Sequence, residues 1–141
     1  MSVPSNSFRS ITTQLPVIGK METSVAIVLA AGKGTRMKSE LPKVLCLANG
    51  RPLVSYVLDA LQDAGVQQFI MVVGYRAELV QETFQDQANV QFAMQTEQLG
   101  TGHAVMMCRE LLKNYQRPVV VVAGDSPMLQ ADSIRALLNE F

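Results

Sequence analysis

From Ser24 onward the chain alternates between two kinds of hydrophobic pattern. "SVAIVLAA" (24–31) is a continuous apolar, β-branched run, as a strand covered on both faces requires. "PLVSYVLDALQDAG" (52–65) sets Val54, Val57, Leu58 and Leu61 at helical spacing, with Pro52 at its start and Gly65 just past its end. "QFIMVV" (68–73) predicts a second buried strand, "AELVQETF" (77–84) a short helix and "NVQFAM" (89–94) a third strand. "GHAVMMCRELLKNY" (102–115) predicts a further helix and "PVVVVA" (118–123) the most apolar strand of all. "DSIRALLNEF" (132–141) gathers Ile134, Leu137, Leu138 and Phe141 on one helical face.

Strand and helix alternate throughout, with no hairpin signal between neighbouring strands. That order predicts an α/β fold: a doubly wound, Rossmann-like, mainly parallel sheet with helices on both faces. In such sheets ligands bind beyond the carboxyl ends of the strands. Three loops leave those ends with unusual chemistry: 32–43, 95–101 and 124–127. The first holds Lys33, Arg36, Lys38 and Lys43 beside Gly32 and Gly34, with only Glu40 to oppose them.

Composition changes this picture mainly by exclusion. A length of 141 residues suits one domain with a real core, and 48% apolar with 17% charged residues fits a soluble globular chain. Twelve basic residues balance twelve acidic ones, so nothing pulls the whole surface toward nucleic acid or an anionic membrane. Any anion site must be local, and a third of the basic residues lie in the first loop. Cys46 and Cys108 are far apart and His103 is the single histidine, which argues against zinc and for reduced thiols in a cytoplasmic protein. No apolar stretch approaches the length of a membrane span. Residues 1–22 are Ser/Thr-rich with no apolar core of signal-peptide length. They are expected to be a disordered leader, with an organelle transit peptide as the alternative, ahead of a folded unit over 23–141.

A glycine-rich turn after a buried strand commonly cradles phosphate, because glycine lets backbone N–H groups approach an anion. Two familiar loops fail here. A Walker A loop would need glycine at Ile27 and Ser or Thr at Gly34; a dinucleotide fingerprint would need glycine at Met37. Taken alone, Gly-Lys-Gly is equally well a tight turn with solvated lysines. The wider stretch "LAAGKGTRMKSELPKV" is more specific. It resembles the signature of the sugar-phosphate nucleotidyltransferases, a Leu-Ala-Ala-Gly-x-Gly-Thr-Arg-Met turn followed by Pro-Lys, matched at 29–37 and 42–43. With "QTEQLGTGHAV" (95–105) and "AGDSPML" (123–129), it is most similar to the uridyltransferase domain of the bacterial enzymes that make UDP-N-acetylglucosamine. The resemblance runs from about Val25 to the last residue.

This resemblance implies the N-terminal half of a nucleotide-diphospho-sugar transferase fold. It also implies a reaction in which N-acetylglucosamine-1-phosphate attacks the α-phosphorus of UTP and releases pyrophosphate. Such chemistry needs positioning and charge neutralisation rather than a covalent nucleophile. By the same resemblance Leu29, Ala30, Ala31 and Gly32 line the nucleotide, and Gly32 and Gly34 give N–H groups to its phosphates. Arg36 and Lys43 are the catalytic cations, while Lys33 and Lys38 contribute long-range attraction. Gln95 reads uracil with an amide donor and acceptor, helped by Gly100 and Thr101; alternatively "LGTG" is a turn capped by Thr101. Ala123 and Gly124 lie beside the nucleotide, Ala123 being smaller than the residue relatives often place there. Asp125 holds Mg²⁺.

Other residues are expected to be structural. His103 opens a helix with no dyad partner at a suitable spacing. Met94, Met106, Met107 and Met128 fill the core, and Asp59 and Asp63 lie on a solvated helix face. The family's domain continues past the position of Phe141, with residues for the amino sugar and a second metal ligand. The expected partners are therefore UTP, an amino-sugar-1-phosphate, and a homo-oligomer or a completing chain, with no nucleic acid and no membrane. Two other readings remain open: a non-catalytic nucleotide-binding module, and a relative using CTP or GTP.

Overall fold

Residues 24–33 and 40–140 are described by the computed structural model. The apolar run after Ser24 forms β1 (Val25–Ala30). Past the basic loop, a single 3-10 turn over Lys43–Leu45 leads into a small hairpin, β2 (Leu47–Ala48) and β3 (Arg51–Pro52), and then α1 (Leu53–Asp63). The remaining elements are β4 (Gln68–Val73), α2 (Ala77–Thr83), β5 (Val90–Met94), α3 (Thr101–Met106), β6 (Val119–Ala123) and α4 (Ala131–Leu138). Four strands make one sheet in the order β5-β4-β1-β6, and all three pairings are parallel. The α/β reading holds.

Two-residue alternation along β1 divides the core between the two faces of the sheet. Ala26, Val28 and Ala30 join α1, α2 and α4 through Val57, Leu61, Val80 and Ile134. Val25, Ile27 and the half-buried Leu29 pack on the other face against Ala104, Cys108, Leu111, Leu112 and Tyr115. β1 is paired on both edges, Val25 opposite Gln68 on one side and Val119 on the other, which is why its run is unbroken. β6 bonds to β1 alone among the described strands, and Val121 on the second face is exposed.

Three expectations need correction. A hairpin does exist between β2 and β3, turning on Asn49 and Gly50, both at positive φ (52° and 80°), the conformation an Asn-Gly turn favours. Two-residue strands are too short to leave a readable alternation. The helix expected over 102–115 ends at Met106. Turns continue from there, such as Cys108 N–H to the Val105 carbonyl at 3.0 Å and Tyr115 N–H to the Leu112 carbonyl at 3.0 Å. They still lay Cys108, Leu112 and Tyr115 on the sheet, so the apolar spacing is satisfied without a regular helix. Finally, Met94, Met106 and Met128 are exposed rather than core fillers, and only Met107 of the four packs against a core.

Both cysteines are free and buried. Burial pushes the Cys108 thiol up from 9.0 to about 11. Because the folded state holds this proton more tightly than the unfolded chain, its contribution to stability is complete below pH 9 and fades as the pH rises toward 11. The thiolate is the reactive form, so Cys108 is expected to resist iodoacetamide at pH 8 until urea unfolds the chain. Mass spectrometry of the labelled peptide checks this; rapid native labelling would contradict the burial.

Candidate nucleotide site

Parallel pairing brings the carboxyl ends of β1, β4, β5 and β6 to one edge of the sheet. A cleft of about 220 Å³ opens there. Leu29, Ala31 and Gly32 form one wall and Gln95, Gly100 and Thr101 another, so six residues singled out in two separate loops come together. Val72, Gln98 and Ala104 complete the lining; none carries a signal in the sequence, since an apolar strand residue, an exposed amide and a helical alanine are ordinary. Ala30 points away, into the core of the first face. Ala123 is exposed, and Gly124 is buried with its N–H donating to the Leu29 carbonyl at 2.9 Å. Gly34, Arg36 and Lys38 lie outside the described residues.

The first and third loops meet through an ion pair. Pro42 and the short 3-10 turn present Lys43, whose Nζ lies 3.2 Å from Oδ2 of Asp125, just beyond the end of β6. Both side chains are partly exposed, so the pair is accessible to a ligand.

The turn after β4 grips both stems of the basic loop, a role with no sequence signal. The Tyr75 N–H donates to the Ala31 carbonyl at 3.2 Å, and its hydroxyl donates to the Glu40 carbonyl at 3.3 Å. Arg76, in the left-handed region at φ 50°, pairs with the Glu40 carboxylate at 3.7 Å. Lys33 places its ammonium 5.5 Å from the centre of the Tyr75 ring, within reach of a cation–π attraction.

Gln95 continues the sheet past Met94, its N–H donating to the Val73 carbonyl at 2.8 Å. Its side chain is buried. Nε2 lies 3.3 Å from the Gly100 carbonyl and 2.9 Å from Nδ1 of His103. His103 therefore has a hydrogen-bond partner, one loop away in sequence and adjacent in space, though an amide rather than the partner of a catalytic dyad. Thr101 is not the helix cap: Gly100, at φ 106°, precedes the first turn, and no side-chain cap bond forms.

Among the described residues no group of three or more His, Cys, Asp or Glu side chains gathers to hold a metal. A lone accessible carboxylate such as Asp125 still suits Mg²⁺, which combines one or two carboxylates with phosphate oxygens and water. Among the same residues no helix is long and apolar enough to cross a membrane.

The chain is similar to known nucleotidyl transferases in sequence and fold. The chain is 44% identical over 119 residues to the bifunctional protein GlmU of Geotalea daltonii, covering 84% of this chain and 26% of that protein. It is 50% identical over 117 residues to the bifunctional protein GlmU of Heliobacterium modesticaldum, covering 83% and 25%. The chain thus spans about a quarter of the length of these relatives. In fold it is similar to a nucleotidyl transferase from Methanothermobacter thermautotroptrophicus, with a TM-score of 0.68 at 23% identity over 84% of this chain and 57% of the other. Residues 26–141 match the family model described as the MobA-like NTP transferase domain. With the parallel sheet, the cleft at its carboxyl edge and the relatives all in agreement, this chain belongs to the MobA-like NTP transferase family.

Proposed function

We propose that the chain supplies the UTP- and Mg²⁺-binding part of an N-acetylglucosamine-1-phosphate uridyltransferase. The observation that carries this reading is the convergence, at one sheet edge, of an amide-walled cleft on Gln95 with the Lys43–Asp125 pair. The GlmU relatives support the choice of nucleotide and sugar.

In the reaction an oxygen of the sugar phosphate forms a bond to the α-phosphorus of UTP, and the bond from that phosphorus to the departing pyrophosphate breaks. Two polyanions must meet, so cations and N–H donors are needed more than a nucleophile. Leu29 and Ala31 offer the base an apolar wall, Gln95 its hydrogen bonds, and Gly32 a backbone N–H to the phosphates. Lys43 exchanges its carboxylate partner for phosphate oxygens, and Arg36 attends the leaving pyrophosphate. Asp125 would hold Mg²⁺, which when bound neutralises phosphate charge. Among the described strands β6 has a neighbour on one side only, and a completing chain would extend the sheet there. Substrates of this kind fit a cytoplasmic location.

Calorimetry with UTP, CTP, ATP and GTP in the presence of Mg²⁺ tests the reading. UTP is expected to bind tightest, on the order of tenfold over CTP, as one or two hydrogen bonds of about 1 kcal/mol would give. Equal binding of all four, or none, would defeat the uracil assignment.

A further inference from the structure

The hydrogen bonds around Gln95 determine more than its position. The Gly100 carbonyl can only accept, so the amide atom 3.3 Å from it must be the nitrogen. That contact assigns the amide's orientation, which its shape alone would leave ambiguous. The second N–H of the same nitrogen then meets Nδ1 of His103 at 2.9 Å. For that bond to form, Nδ1 must present a lone pair. Nδ1 is accordingly assigned as the acceptor, which puts the ring proton on Nε2. Both hydrogens of the Gln95 amide are engaged within the chain, and Oε1 is the atom left to meet a ligand in the cleft that Gln95 lines.

We infer that His103 is a positioning residue for base selection: by accepting from Gln95 Nε2 it holds the amide so that only an acceptor, Oε1, faces the base. This rests on the proposal that Gln95 meets the base, and it goes beyond that proposal in naming what fixes the amide's polarity. Uracil carries a hydrogen on ring nitrogen N3, which Oε1 attracts. Cytosine carries a lone pair at N3, which Oε1 repels. A freely turning amide could serve either base by exchanging its two ends, as glutamine offers both a donor and an acceptor. The Gly100 carbonyl, an obligate acceptor, sets the sense of the amide, and the imidazole, by taking its second N–H, holds it there. Acting through Gln95 alone, His103 would affect which base binds rather than the chemical step.

His103 is the chain's single histidine, so its ring nitrogens can be read without ambiguity. Long-range ¹H–¹⁵N correlation on the unliganded full chain is expected to show the Nε2–H tautomer. A proton resident on Nδ1 in the folded protein would overturn the inference, and this measurement needs no variant. Binding then separates the inference from the reading beneath it. His103→Ala is expected to lower the preference for UTP over CTP by roughly two- to tenfold, the worth of one hydrogen bond. His103→Asn, whose Oδ1 can accept in place of Nδ1, is expected to restore it. If Gln95→Ala removes the preference while His103→Ala keeps it, the positioning role is wrong and the base site stands. If Gln95→Ala leaves the preference unchanged, Gln95 does not read the base and the site reading fails with it.

Discussion

Gly74→Val is expected to lower stability by about 1–3 kcal/mol, the usual cost of forcing extra carbon into a packed site, and to weaken UTP binding in the same variant. Gly74 follows the last residue of β4, between the two walls of the cleft. A Cβ placed there would lie 2.7 Å from the Gln95 carbonyl oxygen, 2.9 Å from Nε2 of Gln98 and 3.0 Å from the Ala31 Cβ. The Gln98 amide can swing aside. The Gln95 carbonyl and Ala31 cannot do so alone, because each belongs to a strand end that carries part of the site. Valine would therefore push the base wall and the stem of the basic loop apart together. Urea unfolding should show a lower midpoint with little change in slope, and calorimetry a weaker UTP complex. Gly102→Ala is the control: a Cβ there meets nothing within 4 Å, and alanine favours a helix over glycine by up to about 1 kcal/mol. If Gly74→Val unfolds and binds as the unchanged protein does, the close approach at this position has no consequence.

Gly74 also illustrates what the sequence can and cannot express. The buried strands were legible because continuous apolar runs have one economical solution, a sheet covered on both faces, and β1 and β4 lie where such runs fall; β6 follows its run as well, although Val121 is exposed on one face. Gly32, Gln95, Gly100 and Thr101, which the family resemblance singled out, line one cleft because parallel strands oblige the loops after them to share an edge. Lys43 and Asp125, remote in sequence, meet for the same reason. Gly74 carried no such signal, since a glycine after a strand says nothing of which neighbour crowds it. His103 carried no such signal either, because its partner is an amide across a loop, which spacing along the chain does not mark. The exposed Met106 and Met128 show the converse. Hydrophobicity marks a residue that can be buried, and only the path of the chain decides whether it is.

Lys43→Ala is expected to weaken binding of Mg²⁺–UTP on the order of ten- to a hundredfold, since a charge-assisted hydrogen bond is worth about 1.5–3 kcal/mol. Lys38→Ala should cost far less if the loop works through placed contacts rather than a diffuse field. In the unliganded chain Lys43 holds the Asp125 carboxylate at 3.2 Å with both side chains partly exposed. Such a pair contributes no more than about 1 kcal/mol to stability, so variants at either position should fold and their binding effects can be read directly. Asp125→Asn makes the sharper test because its sign depends on the metal. In EDTA the carboxylate is simply a negative charge near the triphosphate and a competitor for Lys43, so the variant should bind UTP as well as, or better than, the unchanged protein. With Mg²⁺ present the carboxylate becomes a ligand that asparagine's neutral oxygen replaces poorly, and the same variant should bind less well. Two calorimetric series, with EDTA and with Mg²⁺, would show the reversal. If Asp125→Asn has the same effect in both, Asp125 does not hold the metal. If Lys38→Ala costs as much as Lys43→Ala, the loop attracts the triphosphate as a patch of charge, and Lys43 has no special place at the reacting centre.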